Sequence, residues 1–167
     1  MNNNINYFDW NEISEIVKNM SQNIKKDYNP EIIISVVRGG MIPGVILSHA
    51  LNIRKVENIK SIETISDEIN AIKQEPIVDE NINLSEIRGK KVLIVDDILG
   101  SGATIRKIKK EVKKWEPEEL RTAICVVNKQ NWEKSNRSNY NDEIEYIGKA
   151  VRGWVVFPWE MQRKTNY

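Results

Sequence analysis

The sequence is short of several things, and each shortage removes a class of explanation. It holds a single cysteine, Cys125, so no internal disulfide can form, and its place in the apolar run AICVV reads as a small core residue. It holds a single histidine, His49, with no Cys, Asp or second His at ligand spacing, which reads as a helix residue rather than a metal ligand. Net charge is almost nil, with Lys+Arg 25 against Asp+Glu 24. Nucleic-acid binding needs a strongly basic face, so composition offers no global case for such a partner, although a local patch stays open. No apolar run approaches the length that spans a membrane. The opening MNNNINYFDW has neither a basic n-region nor an apolar h-region, so a cytoplasmic location is the default expectation. No repeat, linker or change of composition marks a second domain. A single domain over 1–167 is expected, and 40% hydrophobic and 29% charged residues suit a core of its own.

The chain is organised around Val92 to Thr104, VLIVDDILGSGAT. Four apolar β-formers run into two acids, then a small-residue turn, then a helical pattern. A continuous apolar run of this length reads as a parallel strand covered on both faces. After the turn, Ile105, Ile108, Val112 and Trp115 place one apolar stripe on a helix. The glycines of Gly100-Ser101-Gly102 let backbone N–H groups crowd at the helix's positive end, which seats a phosphate. Asp96 and Asp97 beside that seat repel phosphate but can hold ribose hydroxyls or a Mg2+ that bridges to phosphates. No Lys-Ser/Thr pair follows the glycines, so this is not a Walker loop.

Upstream, Asp9 to Glu12 forms a capping-box pattern, and Ile13, Ile16, Val17, Met20 and Ile24 fall on one helical face ending near Tyr28. Ile32 to Val37 reads as a central strand that empties into Arg38-Gly39-Gly40, with a helix from Ile42 toward Leu51. This is a second strand–turn–helix unit with an anion-friendly turn. In a parallel sheet both turns lie at one edge, where open α/β folds bind ligands. Arg54 to Ile65 reads as a strand, roughly Thr64 to Gln74 as a flap, and Glu75 to Asn81 as a short return strand. Leu120 to Val127 and Ile144 to Ile147 are further strands. Lys129, after the first of these, can donate to a carbonyl oxygen; in the tail, Trp154 can stack on a base face and Glu160 can accept from ring N–H groups. Trp10, Trp115, Trp132 and Trp159 read as packing residues.

The stretch VLIVDDILGSGAT resembles the phosphoribosyl-diphosphate (PRPP) binding motif of the type I phosphoribosyltransferases. SVVRGGMIPG resembles the pyrophosphate loop of their bacterial and archaeal purine members. The resemblance runs from Trp10 to Glu160. It implies an α/β fold, a parallel sheet flanked by helices with a small hood made by the termini. It implies Mg2+-dependent transfer of the 5-phosphoribosyl group from PRPP to a purine base, with 6-oxopurines (guanine, hypoxanthine, xanthine) favoured.

The resemblance also implies roles for single residues. Asp96, Asp97 and Arg38 would be catalytic, with Asp96 and Asp97 holding ribose hydroxyls and the metal. Arg38 and the amides of Gly39 and Gly40 would hold the diphosphate, after a non-proline cis peptide preceding Arg38. Gly100, Ser101, Gly102, Ala103 and Thr104 would hold the 5′-phosphate. At the base, Lys129 would read O6, Trp154 would stack, the Val155 carbonyl would accept, and Glu160 would line the far side. The flap would cover the reaction centre, and a homo-oligomer is the family's habit. One departure stands out: the 6-oxopurine enzymes commonly carry an Asp, assigned to proton handling, where this chain has Gly100. The alternative it leaves open is a catalytically weak or silent regulatory protein that binds PRPP or a nucleotide.

Overall fold

In the computed structural model, residues 4–64, 73–78, 83–135 and 139–160 are described. Chain order is β1 (Ile5–Tyr7), α1 (Trp10–Asp27), β2 (Ile32–Val37), α2 (Met41–Leu51), β3 (Lys55–Thr64), β4 (Lys73–Val78), β5 (Lys91–Leu99), α3 (Ala103–Lys113), β6 (Glu119–Asn128), α4 (Lys129–Glu133), β7 (Tyr146–Val151) and β8 (Trp154–Val156).

The main sheet has the order β4-β3-β2-β5-β6-β7. Every pairing in it is parallel except β3 with β4, an antiparallel ribbon. Residues on β5 alternate between two cores. Leu93 and Val95 face α1 and α2, packing with Ile13, Val17, Met20 and Leu47. Val92 and Ile94 face α3, packing with Ile105, Ile108 and Val112. The uninterrupted apolar run Val92–Val95 is thus explained: both faces of this strand are covered.

Helix α1 starts on a complete capping box, with Asp9 accepting from the Glu12 N–H and Glu12 reaching back to the Asp9 N–H. The apolar face read from the sequence, Ile13 to Ile24, is its buried face. Cys125 is fully buried and unpaired, as its sequence context indicates. The chain's two ends form a separate two-stranded parallel sheet, β1 with β8. This hood packs on the α1 side through Phe8, Val155 and Phe157.

Some readings change, and two elements are new. Strand β7 covers Tyr146–Val151 rather than Ile144–Ile147, because pairing with β6 carries it past Gly148, Lys149 and Ala150, which lack an apolar strand signature. Residues Ile5–Tyr7 form a strand that the Asn-rich opening does not announce; its partner lies almost the whole chain away. The segment after β6 is the short helix α4, whose signal is the N-cap Asn128 accepting from the Asn131 N–H. Trp10 is 54% exposed, so it is less a packing residue than its tilted contact with Trp159 implies; Trp132 is buried and meets Tyr140 edge-on. The return strand is Lys73–Val78 rather than Glu75 to Asn81, so Thr64, Lys73 and Gln74, read as flap, belong to β3 and β4; residues 65–72 of the flap and 79–81 of the expected return strand lie outside the described residues. Among the described residues, no helix is long and apolar enough to cross a membrane.

Candidate active site

The sheet's order places the site. Strands β2 and β5 are neighbours whose following helices cross to opposite faces of the sheet, which makes the gap between their exits the switch point where open α/β sheets bind ligands. A cavity of about 160 Å³ opens there, walled by Val36–Gly39, Ser61, Asp96–Gly102, Thr104 and Ile105. The register Ser35↔Val95 sets the turn after β2 level with the acids on β5.

On the β2 side, the peptide between Val37 and Arg38 is cis, as the resemblance implies. Arg38 and Gly39 line the cavity. Gly40 lies below it: a Cβ there would come within 2.6 Å of the Val36 carbonyl and 2.7 Å of the Val95 carbonyl. Gly40 therefore lets the turn sit down on the two strands. Gly39 faces the acids, and a Cβ on it would overlap the carboxylate of Asp97.

On the β5 side, Asp96 is buried and Asp97 partly so. The Asp97 N–H donates to Asp96 Oδ1 at 2.9 Å. Burial pushes the Asp97 carboxyl up from its ordinary range and the nearby charge of Glu160 adds to this, against the opposing hydrogen bond with Asp96. A buried acid with a like charge beside it is a place where a cation lowers the energy of the ionised form. Among the described residues no group of three or more His, Cys, Asp or Glu gathers to hold a metal. Two carboxylates lining an open cavity suit Mg2+ all the same, since that ion takes one or two protein carboxylates and completes its shell with substrate oxygens and water. The residues present therefore fit the group.

The turn Gly100–Gly102 opens onto α3. Gly102 has φ +78°, and a Cβ there would press on Arg106 and on the Trp132 ring. Arg106 braces the turn from behind: its Nη2 donates to the Ser101 carbonyl at 3.0 Å, and its Nη1 bonds Glu143 at 3.1 Å. Sequence reading passed over Arg106. The available signal is an arginine one helical turn after the glycine that begins the helix. Gly100, Ser101, Gly102 and Thr104 line the cavity, whereas Ala103, first residue of α3, does not.

The remaining four predicted residues do not line this cavity. Leu99↔Val127 pairing sets the exit of β6 beside that of β5. Lys129 follows directly, at the start of α4, and among the described residues no partner takes its ammonium. Trp154 is 38% exposed and stacks on none of the described aromatic rings. Its position is tied down from two sides: its N–H donates to the Asn4 carbonyl at 2.8 Å, and buried Asn128 donates to the Gly153 carbonyl at 2.8 Å. Asn128 is a second residue the sequence did not single out. Val155 is buried in the hood core. Glu160 is exposed, with Oε2 accepting from the Phe157 N–H at 2.9 Å.

Comparisons with known proteins agree with this layout. The family model described as "Phosphoribosyl transferase domain" matches residues 4–165. Xanthine phosphoribosyltransferase 1 of Saccharomyces cerevisiae is 24% identical over 187 residues, covering 93% of this chain and 90% of its own. The crystal structure of a purine phosphoribosyltransferase from Pyrococcus horikoshii superposes with TM-score 0.74 at 28% identity, covering 93% of this chain and 94% of its own. A Neisseria gonorrhoeae protein solved with bound ppGpp gives TM-score 0.77 at 21% identity, covering 96% and 91%, and shows the shared fold. A match over nearly the whole length, on a sheet whose two anion-friendly turns meet at one edge, shows that this chain belongs to the phosphoribosyl transferase domain family.

Proposed function

We propose that this protein transfers the 5-phosphoribosyl group of PRPP to a 6-oxopurine base, releasing pyrophosphate. The observation that carries the reading is the order of residues along the strand exits: Arg38-Gly39 after β2, Asp96 to Thr104 on and after β5, Lys129 after β6. With neighbouring strands about 4.8 Å apart, Arg38 and Lys129 stand on opposite sides of the acids. That arrangement suits displacement at a ribose carbon, with the leaving diphosphate on one side and the incoming base on the other. The names of the curated relatives support purine phosphoribosyl transfer as the activity.

In this reading the protein works by position and charge, with no covalent intermediate. The amides and hydroxyls of Gly100 to Thr104 seat the 5′-phosphate at the N-terminus of α3, with Arg106 holding the turn's shape. Asp96 and Asp97 orient the ribose hydroxyls. Arg38 meets the negative charge that grows on the diphosphate as the glycosidic bond breaks. Mg2+, held by Asp97 and Asp96, would supply further charge neutralisation on that leaving group. Lys129 donates to O6, Trp154 stacks on the base, the Val155 carbonyl accepts from it, and Glu160 lines the far side.

The test is incubation with PRPP and Mg2+ against adenine, guanine, hypoxanthine and xanthine, measuring pyrophosphate. Release with 6-oxopurines and not with adenine is expected; release with adenine alone overturns the choice of base. Gly100, which cannot move a proton, favours one second reading, a nucleotide-binding regulator. Tight binding of PRPP or a purine nucleotide with no pyrophosphate from any base would establish that reading instead.

A further inference from the structure

A glycine accepts two orientations of the peptide before it, and the Gly100–Gly102 turn holds one of them. Gly102 has φ +78° and ψ 1°, the dihedrals of the third residue of a type II turn. In a type I turn the same peptide, here Ser101–Gly102, is turned over, and glycine adopts that form at little cost. The two forms differ in what they present to the cavity. In a trans peptide the carbonyl and the N–H point in opposite directions, and among the described residues the only cis peptide is Val37–Arg38. The Ser101 carbonyl accepts from Arg106 Nη2 at 3.0 Å, and the Gly102 carbonyl accepts from the Arg106 N–H at 3.1 Å. Gly102 lines the cavity and Arg106 does not. With the Ser101 carbonyl turned toward Arg106, the Gly102 N–H turns to the cavity side, and among the described residues no acceptor takes it. An N–H there is a donor for an anion. The turned-over peptide would put a carbonyl oxygen in its place, which repels one.

Arg106 is itself held. Its Nη1 bonds Glu143 Oε2 at 3.1 Å, and Lys109, one helical turn on, donates to the Glu143 carbonyl. The Arg106 and Glu143 side chains are 29% and 23% exposed, so water screens the pair only in part. Glu143 stands on a firm base. Tyr140, three residues before it, meets buried Trp132 edge-on, and Ile144, the next residue, is buried in the core under α3.

We propose that Glu143 is a positioning residue for the substrate's 5′-phosphate: through Arg106 it holds the Ser101–Gly102 peptide with its N–H, and not its carbonyl, toward the ligand. The assignment rests on the phosphoribosyl-transfer reading above. The 5′-phosphate keeps its charge and its place while the glycosidic bond breaks, so the contact is alike in bound substrate and transition state. Its loss raises KM for PRPP and spares kcat.

The experiment is calorimetric titration of the full chain with GMP and, separately, with magnesium pyrophosphate, for wild type, Arg106→Met, Glu143→Ala and Glu143→Gln, alongside PRPP kinetics. Arg106→Met is expected to weaken GMP binding about tenfold, as loss of a hydrogen bond involving a charged group does. Glu143→Ala, which loosens the guanidinium without removing it, should weaken GMP binding about threefold. Glu143→Gln, which keeps an acceptor for Nη1, should restore it. KM for PRPP should rise in step with these losses while kcat stays in place. Pyrophosphate carries no 5′-phosphate, so its affinity should hold in every variant. Wild-type GMP affinity in Glu143→Ala overturns the assignment while leaving phosphoribosyl transfer standing. Equal losses for GMP and pyrophosphate overturn it as well, because they mark a general disturbance of the cavity. Wild-type protein that binds neither ligand removes the phosphoribosyl-transfer reading, and this assignment with it.

Discussion

Gly39 and Asp97 compete for one volume: the Asp97 carboxylate lies where a side chain on Gly39 would begin. The glycine after the cis peptide is therefore a steric requirement of the acid on the next strand. Gly39→Ala must push Asp97 aside, and misplacement of a reacting group by about 1 Å costs roughly 10²-fold. A drop of that order in kcat/KM for PRPP is expected, with the far-ultraviolet circular dichroism unchanged. Wild-type kinetics would show that the Asp97 carboxylate does not need this position.

Asp97→Asn separates charge from shape. Burial raises the energy of the ionised acid, so the isosteric amide should leave Tm unchanged or slightly higher. Turnover should fall by about 10²-fold or more, the scale seen when one preorganised electrostatic group is removed. Near-normal turnover removes Asp97 from the mechanism.

A polar cluster far from the cavity sets a pH dependence of stability. Tyr146 Oη donates to Asp27 Oδ1 at 2.8 Å, and Arg121 donates to Asp27 Oδ2 at 2.8 Å. Arg121 also lies over the Tyr28 ring at 4.5 Å. The Tyr146 hydrogen bond foremost, then Arg121, holds the Asp27 carboxyl below its ordinary range, while burial and then Asp27 push the Tyr146 phenol up to about 12. The sign follows from the depressed acid: its contribution is present above the unfolded pKa and is lost as pH falls through the folded one. The Tm difference between wild type and Asp27→Asn should thus be largest near neutrality and shrink below about pH 4. A difference that stays constant from pH 7 to 3 would show that the carboxylate's charge is immaterial. Asp27 is mostly exposed, so the effect should be modest and should weaken in high salt.

Cys125 offers a readout of opening. Its thiol is fully buried, and burial, with the Asp97 and Asp96 charges, drives its pKa well above the usual thiol range. The thiolate is the reactive species, so iodoacetamide should label Cys125 only as the strand carrying it opens. Labelling is expected to track the denaturant transition. Rapid labelling of the native protein would mean that the core between β6 and α1 is open to solvent.

Much of the fold was legible because local pattern and final structure agree. The run Val92–Val95, the stripe on α3 and the capping box at Asp9 each state their own secondary structure. The Gly100–Gly102 turn and the Arg38 turn were legible for a similar reason, since glycines, acids and a cation at strand exits carry their chemistry in a few contiguous residues. Contacts between distant segments left no such signature. Strand β1 exists because Ile5–Tyr7 meets Trp154–Val156, and β7 extends through Gly148–Ala150 because β6 lies beside it. Arg106 behind the Gly100–Gly102 turn, Asn128 under Trp154 and the unsatisfied hydroxyl of Ser61 became visible only once neighbours were in place.

The sequence by itself determined a covered parallel sheet, two anion-friendly turns and a pair of acids, because hydrophobic period, glycine freedom and charge act within a few residues of where they are written. Only the tertiary structure decided that both turns open on the gap between β2 and β5, that Gly39 must yield its side-chain volume to Asp97, and that Ser61 faces the same cavity. Those are relations between strands, and strand order and register are set by the packing of the whole sheet.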